Sequence, residues 1–304
     1  MVGFRCLEAV CVSLGSGVAE STDLRGVMSR VELPAMELTD VGGIELEVHD
    51  RGSGEPVVFV HAMRADWHGV LAEPALAEQH RLVYYHRRGF GRSSAAGLPL
   101  TVAQQAADCR AVLRHLGIEK AHVVGLSAGG GLVLQFAVDF PDAAHTIAVL
   151  EPTIPGLLSE DPEAEQMQAE MAERFEAGDT AGALEVMLRT MGGADYAADF
   201  EGTQPPGWFD RMVADWETFR HDVAALGAWE FTEKDAAKIT APVLNMKASD
   251  SGPRHQAYHR TIRSWIPHAQ SAVVPDSTHF MPHRAPRKVA ELLTAFFSRH
   301  PMHS

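Results

Sequence analysis

Hydrophobic positions along the chain form short strand-like runs, give way to helical stripes, and then return to strand-like runs. The segments Met36–Leu38 and Ile44–His49 alternate apolar and polar residues around a glycine pair, which predicts a β-hairpin. Continuous apolar runs follow, as expected for strands that are covered on both faces. These runs are Val57–Val60, Leu82–Tyr85, Val123–Leu126, Ile147–Leu150, Val243–Met246 and Ala272–Val274.

Helical patterns separate these runs. Thr101 is placed to cap a helix that ends at Gly117, another helix runs from Ala128 to about Phe140, and a closing helix covers 286–298. Strands that alternate with helices predict an α/β fold with a mostly parallel central sheet, helices on both faces and right-handed crossovers.

The alternation fails between residues 155 and 235, where only helical stripes occur. One stripe is Met167, Met171 and Phe175, and the other is Trp208, Met212, Trp216, Phe219 and Val223. We interpret this segment as a helical cap inserted after the sixth strand, over the sheet edge where such folds bind ligands. The predicted organisation is a poorly ordered extension (1–35), an α/β core (36–154 and 236–304) and the cap (155–235).

Composition limits the classes of partner and the cellular location that we expect for this protein. The 304-residue chain has a formal net charge of -14 and no cluster of Lys and Arg, so we expect neither nucleic acid nor a membrane as partner. Glu8 interrupts a signal-like start, and three cysteines cannot form a disulfide framework, which favours a cytoplasmic protein. Cys109 is expected to be an inert residue of the core.

Metal and cofactor motifs are absent from the sequence. The sixteen histidines are scattered over separate strands and loops, and neither H-E-x-x-H nor a paired C-x-x-C occurs. We therefore expect no metal and no other cofactor.

The strongest chemical signal is the run Gly125-Leu126-Ser127-Ala128-Gly129 between a predicted strand and a predicted helix. A G-x-S-x-G run in that context is typical of a sharp turn that exposes a nucleophilic serine, with small neighbours that avoid a clash. The helix that follows offers backbone N–H groups to a developing oxyanion. The sequence therefore predicts Ser127 as a nucleophile.

A serine hydroxyl needs a base and a residue that orients the base. His279 lies between the last strand and the last helix, where a loop can return to the serine. Two acids compete for the third position. We favour Asp250, which follows the strand at 243–246, and Glu151, which follows the strand at 147–150, is the alternative.

From about residue 36 to 299 the chain resembles the α/β-hydrolase superfamily, specifically its capped esterase, lactonase and perhydrolase-like members. The likeness includes the chain order serine, acid, histidine. It also includes the run Val58–Met63 and the turn Tyr85–Ser93, which is similar to the family's Asp-x-Arg-Gly-x-Gly-x-Ser. The resemblance implies that the oxyanion is held by the N–H groups of Met63 and Ala128. Ala62 and His86 depart from it, since the family usually has Gly and Asp there.

The loop from Arg64 to His68 is short, which should bring Arg64, Trp67 and His68 near the mouth of the substrate site. The residues expected to line the substrate site are Ala62, Arg64, Trp67, Trp229 and Phe280. The Met- and Trp-rich stripes suit an adaptable apolar pocket, so the expected partner is a hydrophobic small molecule. A homodimer is left open.

The predicted function is hydrolysis of a carboxylic ester or lactone through an acyl-enzyme. The alternatives are a C–C bond hydrolase or a perhydrolase of the same fold, and a non-catalytic small-molecule receptor. A serine at position 127 disfavours the epoxide hydrolases and haloalkane dehalogenases, which use Asp there. Phe280 stands where the C–C hydrolases usually carry Trp.

Overall fold

The computed structural model describes residues 36–302, except for 64–66, 156 and 158–160. The predicted extension over residues 1–35 lies outside the described residues. None of the helices in the described part of the chain is long and apolar enough to cross a membrane.

Strands and helices alternate as the hydrophobic pattern predicts. The strands are β1 (Glu37–Asp40), β2 (Glu45–Arg51), β3 (Glu55–Val60), β4 (His80–Tyr85), β5 (Ala121–Leu126), β6 (Ala144–Leu150), β7 (Val243–Ala248) and β8 (Gln270–Val274). The helices are α1 (His68–Leu71), α2 (Pro74–Ala77), α3 (Val102–His115), α4 (Ser127–Asp139), α5 (Pro162–Glu176), α6 (Thr180–Gly192), α7 (Tyr196–Glu201), α8 (Trp208–Ala214), α9 (Trp216–Gly227), α10 (Glu233–Ala236), α11 (Pro253–Trp265), α12 (Met281–Arg284) and α13 (Pro286–Phe297).

The eight strands form one sheet in the order β1-β2-β4-β3-β5-β6-β7-β8. The predicted hairpin is confirmed by antiparallel pairing of Glu37 with Val48. The pair β2 and β4 is also antiparallel, and every pair from β4 to β8 is parallel. The carboxyl ends of β3, β5, β6, β7 and β8 therefore lie along one edge of the sheet.

The central strands are apolar along their whole length because a hydrophobic core covers each face of the sheet. Val58 and Val60 of β3 pack into a core with residues of α3 and α4, whereas Val57 and Phe59 enter a second core with residues of α1, α2 and α13. A strand that is buried on both faces needs an apolar side chain at every position, and not at every second one. Cys109 is buried in the first core, and this burial raises the pKa of its thiol to about 12.

Helices α5 to α9, which we call the helical segment (Pro162–Gly227), lie between β6 and β7. Its apolar residues form a third cluster around Met63, which follows β3, and Phe280, which precedes α12. Met167 and Met212 of the predicted stripes belong to this cluster. Val223, which ends the second predicted stripe, is instead 50% exposed. The helical segment thus packs on loops at the carboxyl edge of the sheet.

Candidate active site

Ser127 occupies a sharp turn between β5 and α4. Its φ of 52° lies in the left-handed region, which is costly for a residue with a side chain and is found at functional sites. A Cβ atom on Gly125 would collide with the carbonyl oxygen of Gly129, and one on Gly129 would collide with the carbonyl oxygen of Val60. Only glycine fits at both positions, so the local sequence permits this turn.

The two predicted oxyanion donors flank this turn. Ala128 lies in the first turn of α4, where backbone N–H groups have no partner within the helix. Met63 follows β3, which pairs in parallel with β5 so that Val60 lies opposite Gly125. Both residues are buried. The strand order therefore brings the chain after β3 beside the serine turn.

His279 is paired with Glu151. Nδ1 of His279 lies 2.8 Å from Oε2 of Glu151, and the two side chains are 2% and 0% exposed. An ionised carboxylate only accepts hydrogen bonds, so Nδ1 carries the proton and Nε2 is left as the basic nitrogen. Glu151 follows β6 with a φ of 42°, which makes it a second left-handed residue at this edge of the sheet.

The second oxygen of Glu151 is held by the loop after β7. Oε1 accepts the N–H of Ala248 at 2.8 Å and the hydroxyl of Ser251. Burial raises the pKa of the Glu151 carboxyl, but the hydrogen bonds from His279 and Ser251 and the positive charge of protonated His279 outweigh it and lower the pKa to about 2. Glu151 is therefore ionised at neutral pH despite its burial.

The predicted pairing of Asp250 with His279 is wrong. Asp250 is exposed; its N–H donates to the carbonyl of Ser277 at 2.9 Å, and its carboxylate accepts the Ser249 hydroxyl at 2.9 Å. The reason is that its loop supplies Ala248 and Ser251 as donors to Glu151, which occupies the position beside the imidazole. The loop after β7 thus supports the acid that follows β6.

Thr153 is a site residue that the sequence analysis missed. Its hydroxyl lies 3.2 Å from Oγ of Ser127, and its N–H donates to the carbonyl of Ser127 at 2.9 Å. Among the residues that the structure describes, no hydrogen bond joins the Ser127 hydroxyl to His279. The turn Glu151-Pro152-Thr153 therefore contacts the serine with one end and the histidine with the other.

His255, in the first turn of α11, was also missed. Its ring stacks on that of His279 with centroids 4.2 Å apart and an interplanar angle of 21°. Burial lowers the pKa of His255 to about 3, helped by the charge of His279, so the ring is neutral at physiological pH. Donor atoms of Glu151, His255 and His279 lie within 4.8 Å of one another, and these three residues could hold a metal ion. Such an ion would bind the side chains of Glu151 and His279 that are hydrogen-bonded to each other in this structure.

The predicted substrate contacts divide into two groups. Ala62 and Phe280 are buried beside the site, and Phe280 packs in the third cluster with Met63. Trp67 is fully buried under the sheet against Phe59, and its Nε1 donates to Val60. Its predicted place at the mouth of the site is therefore wrong. Arg64 lies outside the described residues.

Trp229, which is also predicted to contact the substrate, packs against α4, the helix that begins at Ser127. Its Nε1 donates to Gln135 of α4 at 2.7 Å, and its ring packs on Phe231 at the first core. A small, mainly apolar pocket lies under the helical segment, and its walls are Met63, Phe90, Leu184, Met212, Asp215 and Phe219. Because Met63 belongs to this wall, the pocket adjoins the predicted oxyanion site.

Known proteins are similar to this chain in sequence. The non-heme haloperoxidase of Rhodococcus erythropolis is 27% identical over 223 residues, which cover 70% of this chain and 81% of that protein. The dihydrolipoyllysine-residue acetyltransferase component of the acetoin cleaving system of Cupriavidus necator is 36% identical over 120 residues. That match covers 39% of this chain, which spans only about a third (32%) of the relative's length.

A solved structure and a family sequence model extend the comparison. A thermophilic esterase from Thermogutta terrifontis superimposes with a TM-score of 0.72 at 22% identity, over 88% of this chain and 98% of the esterase. The sequence model of the alpha/beta hydrolase fold matches residues 55–286, which include the serine turn, Glu151 and His279. Since that match covers most of the chain, the protein belongs to the α/β-hydrolase fold family of enzymes.

Proposed function

We propose that the protein is a serine hydrolase that cleaves a carboxylic ester or lactone of a hydrophobic small molecule. The observation that carries the proposal is the buried Glu151–His279 pair on the sheet edge that also presents Ser127 in a left-handed turn. The pair leaves Nε2 of His279 as the basic nitrogen that a serine nucleophile requires.

The proposed reaction proceeds in two halves. Ser127 Oγ attacks the ester carbonyl and gives its proton to Nε2 of His279, while the N–H groups of Met63 and Ala128 stabilise the oxyanion. The imidazolium then protonates the leaving alkoxide, which leaves an acyl-enzyme. Water, deprotonated by His279, attacks the acyl carbonyl and releases the acid and the free serine. Glu151 stays ionised throughout and stabilises the imidazolium.

The Ser127 hydroxyl has to leave Thr153 before it can react. Its contact with Thr153 at 3.2 Å is a resting arrangement in this proposal, and rotation about the Cα–Cβ bond of Ser127 turns the hydroxyl toward His279. Catalytic hydrogen bonds in ligand-free enzymes commonly form only when substrate is bound.

The apolar pocket supports the hydrophobic part of the proposed substrate. Five of its six lining residues are apolar, and Asp215 is the exception. In this proposal the helical segment acts as a cap, because four of the six residues that line the pocket belong to it. They are Leu184, Met212, Asp215 and Phe219. Apolar acyl or alcohol groups gain free energy by packing against these side chains, whereas charged groups lose hydration there.

The test is acylation of the serine. Wild-type protein should be labelled by a fluorophosphonate probe and should release a burst of p-nitrophenol from a p-nitrophenyl ester of a medium-chain acid. Ser127→Ala should lose both signals with an unchanged circular dichroism spectrum, and kcat should fall by about three to six orders of magnitude. Near-normal turnover by Ser127→Ala would refute the proposal.

The same samples distinguish the alternative functions. Assays of a vinylogous diketone and of acetate with hydrogen peroxide test for C–C hydrolysis and for perhydrolysis. The second arm is included because a relative is a non-heme haloperoxidase. Ligand binding without labelling of Ser127 would favour a receptor.

A further inference from the structure

A buried ion pair joins the helical segment to the α/β core behind the predicted oxyanion site. Arg87 follows β4 and is 3% exposed, and Asp222 of α9 is 6% exposed. Nη2 of Arg87 lies 2.7 Å from Oδ2 of Asp222. Gln105 of α3 bridges the pair, since it accepts from Nη1 of Arg87 and donates to Oδ1 of Asp222 at 3.0 Å.

The same guanidinium holds the loop that leads to Met63. Nε of Arg87 donates to the carbonyl of His61 at 3.0 Å, and Nη2 donates to the carbonyl of Ala62 at 2.9 Å. The backbone N–H of Arg87 donates to Nε2 of His61 at 3.0 Å. Two consecutive peptide groups are thus fixed by one planar, rigid fork, which a lysine cannot reproduce.

Peptide geometry turns this contact into an orientation of Met63. The carbonyl of Ala62 and the N–H of Met63 belong to one peptide group, which is planar and trans, so the two bonds point in opposite directions. A hydrogen bond that fixes the Ala62 oxygen therefore fixes the direction of the Met63 N–H. Oxyanion donors act because they are already aimed when charge develops.

We propose that Arg87 is a positioning residue that aims the Met63 N–H, and that Asp222 of the helical segment holds Arg87 in place to do so. The inference rests on the proposed serine hydrolase function. It links the helical segment to the chemistry directly, because an element that forms the pocket wall also fixes, through one ion pair, the peptide that binds the oxyanion.

A neighbouring ion pair provides a matched control. Arg88 is the next residue in the same turn, and its Nε and Nη2 donate to the two carboxylate oxygens of Asp108 of α3, at 2.7 Å from Nε. Its side chain and that of Asp108 are 14% and 12% exposed. The other hydrogen bond of Arg88 among the described residues goes to the carbonyl of Ala96 and not to residues 61–63. Loss of this pair tests what a partly buried Arg–Asp pair contributes apart from the oxyanion loop.

The experiment compares Asp222→Asn with Asp108→Asn, assayed well below the thermal midpoint of the less stable variant. We expect both changes to lower the midpoint, but only Asp222→Asn to lower kcat, by about tenfold to a hundredfold. This is less than the full loss of an oxyanion donor, about a hundredfold or more. Affinity for a trifluoromethyl ketone, which forms an oxyanion on Ser127, should fall in parallel, while KM changes less than about threefold.

Arg87→Lys keeps the charge beside Asp222 but removes the fork. It should retain most of the thermal midpoint and still lose kcat, and it remains informative if Asp222→Asn does not fold. Wild-type kcat in Arg87→Lys, or equal kcat losses in Asp222→Asn and Asp108→Asn, would overturn the inference. Failure of the wild-type protein to react with a fluorophosphonate would overturn the proposed function and the inference together. Labelling of wild type and Asp222→Asn at equal rates would overturn the inference alone.

Discussion

Two acidic residues follow neighbouring strands of the sheet, but they differ in burial, in hydrogen bonding and in backbone conformation. Glu151, after β6, is 1% exposed, accepts hydrogen bonds on both oxygens and has a left-handed backbone. Asp250, after β7, is exposed, and its carboxylate accepts the adjacent Ser249 hydroxyl. Both strands end at the same edge of the sheet. Position after a strand therefore does not decide which acid meets the histidine.

The difference lies in the backbone and in the donors around each carboxylate. The left-handed conformation of Glu151 costs on the order of 1 kcal/mol or more, and such strain persists only where surrounding structure enforces it. Glu151 is held by its own N–H, which donates to the carbonyl of Met246 at 3.0 Å, and by the bonds to its carboxylate from Ala248, Ser251 and His279. A carboxylate satisfied in this way can stay ionised while buried, and in that state it can orient an imidazole.

The largest expected effect comes from exchanging each carboxylate for its amide. Glu151→Gln should lower kcat by about four orders of magnitude, because the amide no longer fixes the tautomer of His279 or stabilises its cation. Asp250→Asn should change kcat by less than about threefold. Steady-state kinetics on a p-nitrophenyl ester measure both. A larger loss in Asp250→Asn than in Glu151→Gln would show that the contact with Glu151 is not the catalytic one.

The sequence predicted the parts of this site that depend on burial and spacing. Continuous apolar runs identified the strands, and glycines at 125 and 129 identified the serine turn, because steric exclusion there is local. The choice between Glu151 and Asp250 depended on a positive φ and on donors that lie about a hundred residues away in the chain. No hydrophobic pattern records either of these, so the preferred acid was wrong.

Other errors have a similar origin. Helix α11, which carries His255, escaped the sequence analysis because polar residues dominate Pro253–Trp265 and no apolar stripe stands out. Trp67 was placed near the mouth of the site because the loop from 64 to 68 looks short, but its side chain packs in the second core. Arg87 lies in the predicted turn Tyr85–Ser93, whose sequence does not show that the guanidinium is buried, and only the structure shows its contacts with residues 61, 62 and 222.

A smaller effect concerns stability and pH. The pKa of the Glu151 carboxyl falls from its ordinary value near 4.5 to about 2 in the folded protein. The folded protein thus gains stability from ionised Glu151 at pH values above 4.5, and this gain is lost as the pH falls toward 2. Its size is on the order of 3 kcal/mol. Glu151→Gln should therefore be less stable than wild type at pH 6, with a deficit that shrinks near pH 3.

Denaturant unfolding at a series of pH values measures this difference. Subtracting the variant curve from that of the wild type cancels groups that titrate alike in both, including Glu47, whose pKa is also lowered to about 2. Asp250→Asn serves as the control and should follow the wild-type curve, since Asp250 is exposed. A deficit that stays constant from pH 6 to pH 3 would contradict the role assigned to the charge on Glu151.

The smallest expected effect concerns Thr153, at the end of the Glu151 turn that touches the nucleophile. The hydrogen bond between the Thr153 and Ser127 hydroxyls contributes about 1 kcal/mol, the value typical of a neutral pair. This bond favours a serine rotamer that does not face His279, so its loss should raise the population of the reactive rotamer. A difference of 1 kcal/mol corresponds to about a fivefold change in population.

Thr153→Val keeps the shape of the side chain and its backbone N–H bond to Ser127, and removes only the hydroxyl. The rate of fluorophosphonate labelling should rise by up to about fivefold, with the thermal midpoint nearly unchanged. Thr153→Ser retains a hydroxyl and should label at the wild-type rate. A tenfold slower reaction in Thr153→Val, restored in Thr153→Ser, would give the opposite answer. The hydroxyl would then assist the attack, and the turn after β6 would contribute a second functional group besides the Glu151 carboxylate.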